Sequence, residues 1–123
     1  MSLVSPIQKL AGFQEEIQLA VLRRLHQAPE VSQRTLAREL GVSLGSINFC
    51  FQALVEKGWI KMQNFGQNTN KLRYAYSLTP SGLAGKSKLT MKFLQRKLDE
   101  YEVLRAEIDQ LRAEMPQILK VVV

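Results

Sequence analysis

The stretch SQRTLARELGVSLGSINFCFQ, residues 32–52, constrains the fold of this chain more than any other. It predicts two helices joined by a tight turn, because Gly41 suits the left-handed conformation that ends a helix and Ser43 can cap the next one. Ala37 is small enough for the two helices to cross closely. The second helix then carries apolar residues at spacings of three and four, namely Ile47, Cys50 and Leu54. This pattern favours a helix-turn-helix over its alternative, an ordinary helical hairpin in a core.

The segment before the motif predicts one further helix. Apolar residues recur at helical spacing over residues 14–27, and Pro29 ends the pattern. Pro6 argues against a helix interior near the start, so residues 1–13 are expected to form an N-terminal arm. Val31 is expected in a short strand or bridge.

Alternation of apolar and polar residues after the motif predicts a β-hairpin. Ile60 and Met62 are expected on the face opposite Lys61, and residues 72–78 alternate in the same way. A polar loop, residues 65–71, separates the two runs. A hairpin that directly follows a helix-turn-helix is a wing.

Thr79 and Pro80 predict the start of a long final helix, with Thr79 as its cap and Pro80 at its first position. No further proline occurs before Pro116, so the helix is expected to extend to residue 115. The helix is longer than a small domain can cover, so its second half is expected to project from the domain. It carries an apolar stripe in a seven-residue frame: Leu94, Leu98, Tyr101, Leu104, Ile108, Leu111 and Met115. The apolar stripe predicts pairing with a second copy of the chain, although Lys97 interrupts the frame; the alternative is a helix that folds back onto its own domain.

Charge is distributed unevenly along the chain, whose 17 Lys and Arg against 11 Asp and Glu give a net charge of +6. Residues 57–98 hold basic residues and no Asp or Glu, whereas acids prevail from Asp99 to Glu114. The basic part suits an anionic partner such as nucleic acid, and the acidic helix can stay away from that partner.

Residues that carry catalytic or metal chemistry are scarce. The single Cys and the single His exclude an intrachain disulfide and any multi-cysteine or multi-histidine metal site, and no phosphate-binding glycine loop is present. We therefore expect no enzymatic activity and no cofactor. Cys50 occupies a core position, which favours a structural role over a redox switch. No apolar run reaches the length of a membrane span and no signal peptide is recognisable, so a cytoplasmic location is expected.

The runs VSQRTLARELGVSLGSINFCFQALVEKGWIK and NKLRYAYSLTPSGLAGKSKLTMKFLQRKLDEYEVLRAEI resemble the MarR family of bacterial transcription regulators. They are most similar to its short subgroup associated with exopolysaccharide gene clusters. The likeness extends over residues 14–114 and implies a homodimer that binds a near-palindromic operator. Longer MarR proteins have additional terminal helices that frame a pocket for small aromatic ligands. Since this chain is short at both ends, ligand sensing is not carried over.

One side of the second motif helix is left free by the core, and its side chains suit base recognition. Asn48 and Gln52 can each pair with adenine, and Phe49 can touch a thymine methyl group, while helical geometry favours Phe51 for the core. No Arg or Lys lies between Ser43 and Gln52, so an A·T-leaning site with shape readout is expected. The residues expected to contact bases are Ser43, Leu44, Gly45, Ser46, Asn48, Phe49 and Gln52. Of these, Leu44 is included only because the resemblance to the MarR family implies it.

Phosphate contacts are expected from the first motif helix and from the wing. The N-terminal amides of that helix suit phosphate, and the wing loop could enter a minor groove or follow the backbone. The residues assigned to these contacts are Gln33, Arg34, Thr35, Lys61, Asn68, Thr69, Asn70, Lys71 and Arg73. For Arg34 a solvated helix face is the alternative.

These expectations combine into a mainly α protein with a small β-hairpin wing. Residues 14–79 are expected to form a winged helix-turn-helix DNA-binding domain, residues 80–115 a long C-terminal dimerisation helix, and residues 116–123 a tail. The expected partners are double-stranded DNA and a second copy of the chain. Two alternatives stay open: a winged-helix module for protein contacts whose long helix binds a different partner, and a protein that coats DNA regardless of its sequence.

Overall fold

The computed structural model follows the predicted order of elements. It describes residues 6–64 and 74–115, with side chains described for residues 12–63 and 75–115. The elements are α1 (Pro6–Gln27), α2 (Gln33–Leu40), α3 (Leu44–Glu56), β1 (Ile60–Asn64), β2 (Tyr74–Leu78) and α4 (Pro80–Glu114). The chain forms two compact units, Met1–Thr90 and Met91–Val123, and α4 contributes residues to both. The predicted fold class, mainly α with a two-stranded hairpin and a long C-terminal helix, is confirmed.

The turn between α2 and α3 is built by the residues that the sequence singles out. Ser43 caps α3, since its Oγ accepts a hydrogen bond from the Ser46 amide at 3.1 Å. Gly41 follows α2 with a φ of 67°, the left-handed conformation that favours glycine, and its N–H donates to the Arg38 carbonyl oxygen at 3.3 Å. Ala37 is buried beneath the crossing of the two helices. The predicted helix-turn-helix is therefore confirmed.

The core of the first unit is formed by α1, α2, α3 and the hairpin. Its buried side chains include Val21, Leu22, Leu25, Leu36, Ile47, Cys50, Phe51, Leu54, Ile60 and Ala75. Burying one aliphatic side chain of this kind stabilises the fold by about 1.5–3 kcal/mol. The Phe51 ring meets the Tyr76 ring edge-on, with the centroids 4.9 Å apart. Phe49 is 62% exposed, so the prediction that Phe51 is the core phenylalanine is confirmed.

The hairpin contributes to the core from both of its faces. β1 and β2 are antiparallel, with Ile60 paired to Leu78 and Met62 paired to Tyr76. Paired residues share a face, and on this face Ile60 is buried while Met62 is exposed. Ala75 lies on the opposite face and is fully buried.

A backbone hydrogen bond connects the hairpin to the segment between α1 and α2. The Tyr76 amide donates to the Pro29 carbonyl oxygen at 3.1 Å. The prediction that Val31 belongs to a strand or bridge is wrong. Its N–H instead donates to the Ala28 carbonyl oxygen at 3.1 Å, which closes a turn after α1.

α1 begins at Pro6 and not near Gln14 as the sequence predicts. Proline is compatible with the first position of a helix, where its missing N–H has no partner within the helix in any case. Pro6 therefore marks the start of the helix. Of the predicted arm, residues 1–13, the part from Pro6 onward is helical.

α4 begins as predicted and packs its first turns directly on Trp59. Thr79 Oγ1 accepts a hydrogen bond from the Gly82 amide at 3.0 Å and donates to the Gly58 carbonyl oxygen. A Cβ added at Gly82 would lie 1.9 Å from the Trp59 carbonyl oxygen, and one added at Gly85 would lie 2.6 Å from the Trp59 ring. The two glycines therefore provide the space that Trp59 occupies.

The second unit contains the part of α4 from Met91 to Glu114, and none of its described side chains is buried. In the apolar stripe, exposure ranges from 40% at Ile108 to 62% at Leu111, while Met115 is half-buried. Over residues 6–64 and 74–115, no helix is long and apolar enough to cross a membrane.

Candidate nucleic-acid interface

α3 separates a buried side from a side left to solvent. Ile47, Cys50 and Leu54 are buried, whereas every residue predicted to contact bases is exposed. Those exposed residues, here called the reading face, are Ser43, Leu44, Gly45, Ser46, Asn48, Phe49 and Gln52. A helix that enters a major groove needs such a continuous exposed side.

Two hydrogen bonds connect three amide side chains at the reading face. Gln52 Nε2 donates to Asn48 Oδ1 at 3.1 Å, and Asn48 Nδ2 donates to Gln33 Oε1 at 3.3 Å. Gln33 is the first residue of α2, so this amide triad, Gln33, Asn48 and Gln52, joins the two motif helices at their exposed surface. Side chains held in this way lose less conformational freedom when a ligand binds.

The amide triad leaves defined hydrogen-bonding capacity toward solvent. Gln52 keeps its Oε1 acceptor and one N–H donor, the combination that bidentate contact with adenine requires. Asn48 uses its Oδ1 and one hydrogen of its Nδ2 within the triad, whereas the Oε1 of Gln52 makes no hydrogen bond there. Gln52 is therefore the better placed of the two for direct adenine contact, and Asn48 orients it.

The residues at the start of α3 differ in how far local hydrogen bonds and packing constrain them. The Ser43 hydroxyl caps the helix and lies 2.9 Å from the Ser46 Oγ, so both side chains are engaged in local structure. Gly45 is not constrained by packing, because a Cβ there would meet only the Ser43 Oγ, at 3.9 Å. Its lack of a side chain leaves the backbone of α3 accessible to a close ligand.

A cleft of about 460 Å³ lies between α1 and the reading face. Phe13 and Phe49, both more than half exposed, line it together with Ile17 and Ala53. The sequence predicts Phe13 as an apolar residue of the N-terminal arm that docks on another surface, whereas the structure places it within α1. Phe49 therefore belongs to both the cleft and the reading face.

The residues predicted to contact phosphate lie only partly within the described residues. Arg34 and Lys61 are exposed, as such contacts require, and Gln33 belongs to the amide triad. Thr35 is occupied in the cap of α2, where its amide donates to the Ser32 Oγ at 3.0 Å and its hydroxyl lies 2.8 Å from the same atom. The other predicted contacts lie outside the described residues: Asn68, Thr69, Asn70, Lys71 and Arg73.

Cys50 and His26 lie in different surroundings. Burial raises the pKa of the Cys50 thiol to about 11, against a weaker opposing influence of the Lys57 charge. A thiol of this kind holds little thiolate at neutral pH, which supports the structural role predicted for it. His26 is exposed at the end of α1, with its Nδ1 3.0 Å from Lys86 Nζ. Within the described part of the chain, no group of three or more His, Cys, Asp or Glu side chains is placed to hold a metal ion.

Residues 14–61, which contain α2, α3 and the start of β1, match the family model described as winged helix-turn-helix DNA-binding. Solved structures extend the likeness over most of the chain. The PcaV transcriptional regulator from Streptomyces coelicolor matches with a TM-score of 0.58 at 21% identity, covering 84% of this chain and 88% of that one. The chain has the winged-helix fold. No curated protein sequence matches the chain.

Two further structures share this winged-helix fold. A MepR variant from S. aureus matches with a TM-score of 0.57 at 22% identity, covering 94% of this chain and 86% of that one. A structure named as a MarR family transcription regulator matches with a TM-score of 0.53 at 18% identity, covering 85% of this chain and 78% of that one. In a winged helix of this topology, α3 is the helix that corresponds to the groove-reading helix.

Proposed function

We propose that this chain is a MarR-type transcriptional regulator that binds double-stranded DNA in a sequence-specific manner, as a homodimer on a near-palindromic operator. The amide triad carries the proposal. Two of its members, Asn48 and Gln52, are exposed on α3, the helix that corresponds to the groove reader, and Gln33 holds Asn48 from α2, so the Gln52 amide is left available at the surface. Because the triad holds this amide in one orientation before a ligand binds, less conformational freedom is lost when it contacts a base.

Direct readout in this proposal comes from the reading face. Gln52 pairs with the N6 and N7 atoms of adenine, while Phe49 contacts a thymine methyl group. Because no Arg or Lys occurs from Ser43 to Gln52, the commonest guanine contact is missing, and an A·T-rich half-site with shape readout is expected. Arg34 and Lys61 contact phosphates and set the position of α3 in the groove.

The biological role proposed here is control of exopolysaccharide genes from the cytoplasm. Two observations support a MarR-type regulator: the match to a structure named for that family and the residue runs that resemble its short subgroup. The cytoplasmic location follows from the proposal, since a regulator must reach the chromosome. Operators found upstream of other gene classes would overturn this assignment without affecting DNA binding.

Selection from a randomised duplex pool at near-physiological salt tests the proposal. Enrichment of a near-palindromic, A·T-rich sequence is expected, with half-sites about one helical turn apart or a multiple of it. If no sequence is enriched but salt-sensitive binding is retained, the result would indicate a protein that coats DNA regardless of its sequence. Absence of binding to any duplex would favour a module for protein contacts.

Two variants then separate base contacts from phosphate contacts. Gln52→Ala removes one bidentate pair from each half-site of the homodimer, so it is expected to weaken binding to the selected operator at least about 30-fold and to leave binding to a scrambled duplex nearly unchanged. The matched control, Lys61→Ala, removes one phosphate contact from each subunit and is expected to weaken binding to both duplexes alike and to reduce the salt slope by about 2. Equal losses on both duplexes for Gln52→Ala would contradict its assigned role.

A further inference from the structure

The second unit carries a heptad pattern that is more informative than its apolar stripe alone. Written as a heptad, Leu94, Tyr101 and Ile108 take position a, and Leu104 and Leu111 take position d. All five side chains are exposed, with nothing in their own unit covering them among the described residues. Lys97 occupies the first d position, so the regular a/d pattern starts at Tyr101.

The residues beside the a and d positions have opposite charges on the two sides. Position g, which precedes a, holds Glu100 and Glu107, while position e, which follows d, holds Arg105 and Arg112. In a parallel coiled coil the g residue of one helix lies beside the e residue of the next heptad on the partner helix. In an antiparallel coiled coil, g faces g and e faces e.

These charges distinguish the two orientations. In a parallel, in-register pair, Glu100 meets the partner's Arg105 and Glu107 meets the partner's Arg112, and twofold symmetry repeats both contacts. In an antiparallel pair, glutamates face glutamates and arginines face arginines, which is unfavourable. Only the parallel arrangement therefore makes all of these contacts attractive.

The intrachain contacts leave these side chains available to a partner. Among the described residues, Arg105, Glu107 and Arg112 form no ion pair. Glu100 forms one exposed pair with Lys97, with Nζ and Oε2 separated by 3.2 Å. Exposed pairs of this kind are weak, so Glu100 can also contact an arginine on another helix.

We infer that residues 94–115 pair with the same residues of a second copy in a parallel, in-register coiled coil. This inference rests on the proposed homodimer and adds its orientation. The overall charge distribution along the helix favours the antiparallel orientation instead, because basic residues precede Leu98 and acidic residues follow it. The flanking e and g residues decide the orientation, since they contact the partner while residues on the outer side of the helix do not. Both chains consequently enter the paired segment from the same end.

Engineered cysteines test the orientation in the full-length protein once its mass in solution has been measured. Leu111→Cys is expected to form a disulfide with its own counterpart under mild oxidation, because like d positions meet in a parallel pair. The controls are the wild type, whose Cys50 is buried, and Val103→Cys, at an exposed position c away from the interface. Neither control is expected to crosslink.

A mixture of Leu111→Cys and Tyr101→Cys proteins tests the opposite orientation. These positions are ten residues and so about 15 Å apart along a parallel pair, too far for a disulfide, but they are adjacent in the antiparallel register in which residues 97–115 of the two copies overlap. A dimer that yields only the mixed disulfide would overturn the parallel orientation and leave the homodimer intact. A monomeric mass at every concentration would refute both the homodimer and the inference.

Charge reversal provides a second test that does not depend on oxidation. The double variant Glu100→Arg with Glu107→Arg is expected to raise the dimer Kd at least about tenfold, because four attractive contacts become repulsive. Adding Arg105→Glu and Arg112→Glu is expected to restore the wild-type Kd. The control reverses Glu102 and Asp109 (position b) to arginine and is expected to change the Kd less than about threefold. Equal effects of the two double variants would contradict the assigned contacts.

Discussion

Alanine at position 82 tests how the first turns of α4 pack on Trp59 within the first unit. The Cβ that Gly82→Ala adds would lie 1.9 Å from the Trp59 carbonyl oxygen and 2.8 Å from its carbonyl carbon. Both are backbone atoms, so the clash is relieved only if α4 or the main chain at Trp59 moves. The same carbonyl oxygen accepts the Thr79 amide hydrogen bond at 2.9 Å, and this bond is disturbed by any such movement.

Two effects of opposite sign set the magnitude for Gly82→Ala. Overpacking of this kind costs about 1–3 kcal/mol, and a weakened hydrogen bond adds about 1 kcal/mol. Alanine gains about 1 kcal/mol over glycine from its higher helix propensity. The steric cost is the larger effect, so we expect the free energy of unfolding to fall by about 2 kcal/mol. For a domain of this size that corresponds to a Tm lower by roughly 8–16 °C.

Urea unfolding measures this change, followed by far-UV circular dichroism and by the fluorescence of Trp59, the only tryptophan. Gly45→Ala is the matched control, because its added Cβ meets only the Ser43 Oγ at 3.9 Å and the helix propensity gain is the same. This control is expected to be neutral or slightly stabilising. If Gly82→Ala unfolds at the same or a higher urea concentration than the wild type, the packing of α4 on Trp59 is wrong.

Three smaller predictions follow from single contacts. Gln33→Ala removes the outer member of the amide triad and should lower the affinity ratio between selected and scrambled duplexes by about 2–10-fold, measured by competition binding; an unchanged ratio would contradict the orienting role. The Cys50 thiol, with its pKa raised to about 11, should react with iodoacetamide at least about a hundredfold more slowly in the native protein than in urea, and equal rates would refute its burial. The hydrogen bonds from Arg24 lower the pKa of Glu39 below its ordinary value of 4.5. The ion pair therefore stabilises the fold above pH 4.5, and this contribution is lost as the pH falls through the lowered pKa. The urea midpoints of wild type and Glu39→Gln should therefore converge as the pH falls toward 3, whereas a constant gap would contradict the pairing.

Local patterns predicted the helix-turn-helix because their physical causes are local. Ser43 as a cap, Gly41 in a left-handed conformation and the buried side of α3 each depend on residues within a few positions of one another. The same holds for Thr79 and Pro80 at the start of α4. These elements therefore follow from the sequence without knowledge of the tertiary structure.

Contacts between distant residues were not predictable in the same way. Gln33 and Asn48 are fifteen positions apart, and only the crossing angle of α2 and α3 brings their amides to 3.3 Å. Gly82 contacts Trp59 because the pairing of β1 with β2 brings the start of α4 beside Trp59. In the sequence, two glycines three positions apart do not reveal which residue they contact. The start of α1 differs from the prediction for another reason: proline argues against a helix interior, but Pro6 occupies the first position of the helix, where proline is favoured.

The amide triad has a consequence for how specificity evolves among regulators of this fold. Gln33 lies outside the reading face, yet it holds Asn48, which in turn holds Gln52, the amide that the proposed function assigns to adenine. Two regulators with identical α3 sequences can then prefer different operators if they differ at the first residue of α2. Operator preference can drift through a residue that never meets a base, so the sequence of the recognition helix is an incomplete guide to the genes that such a protein controls.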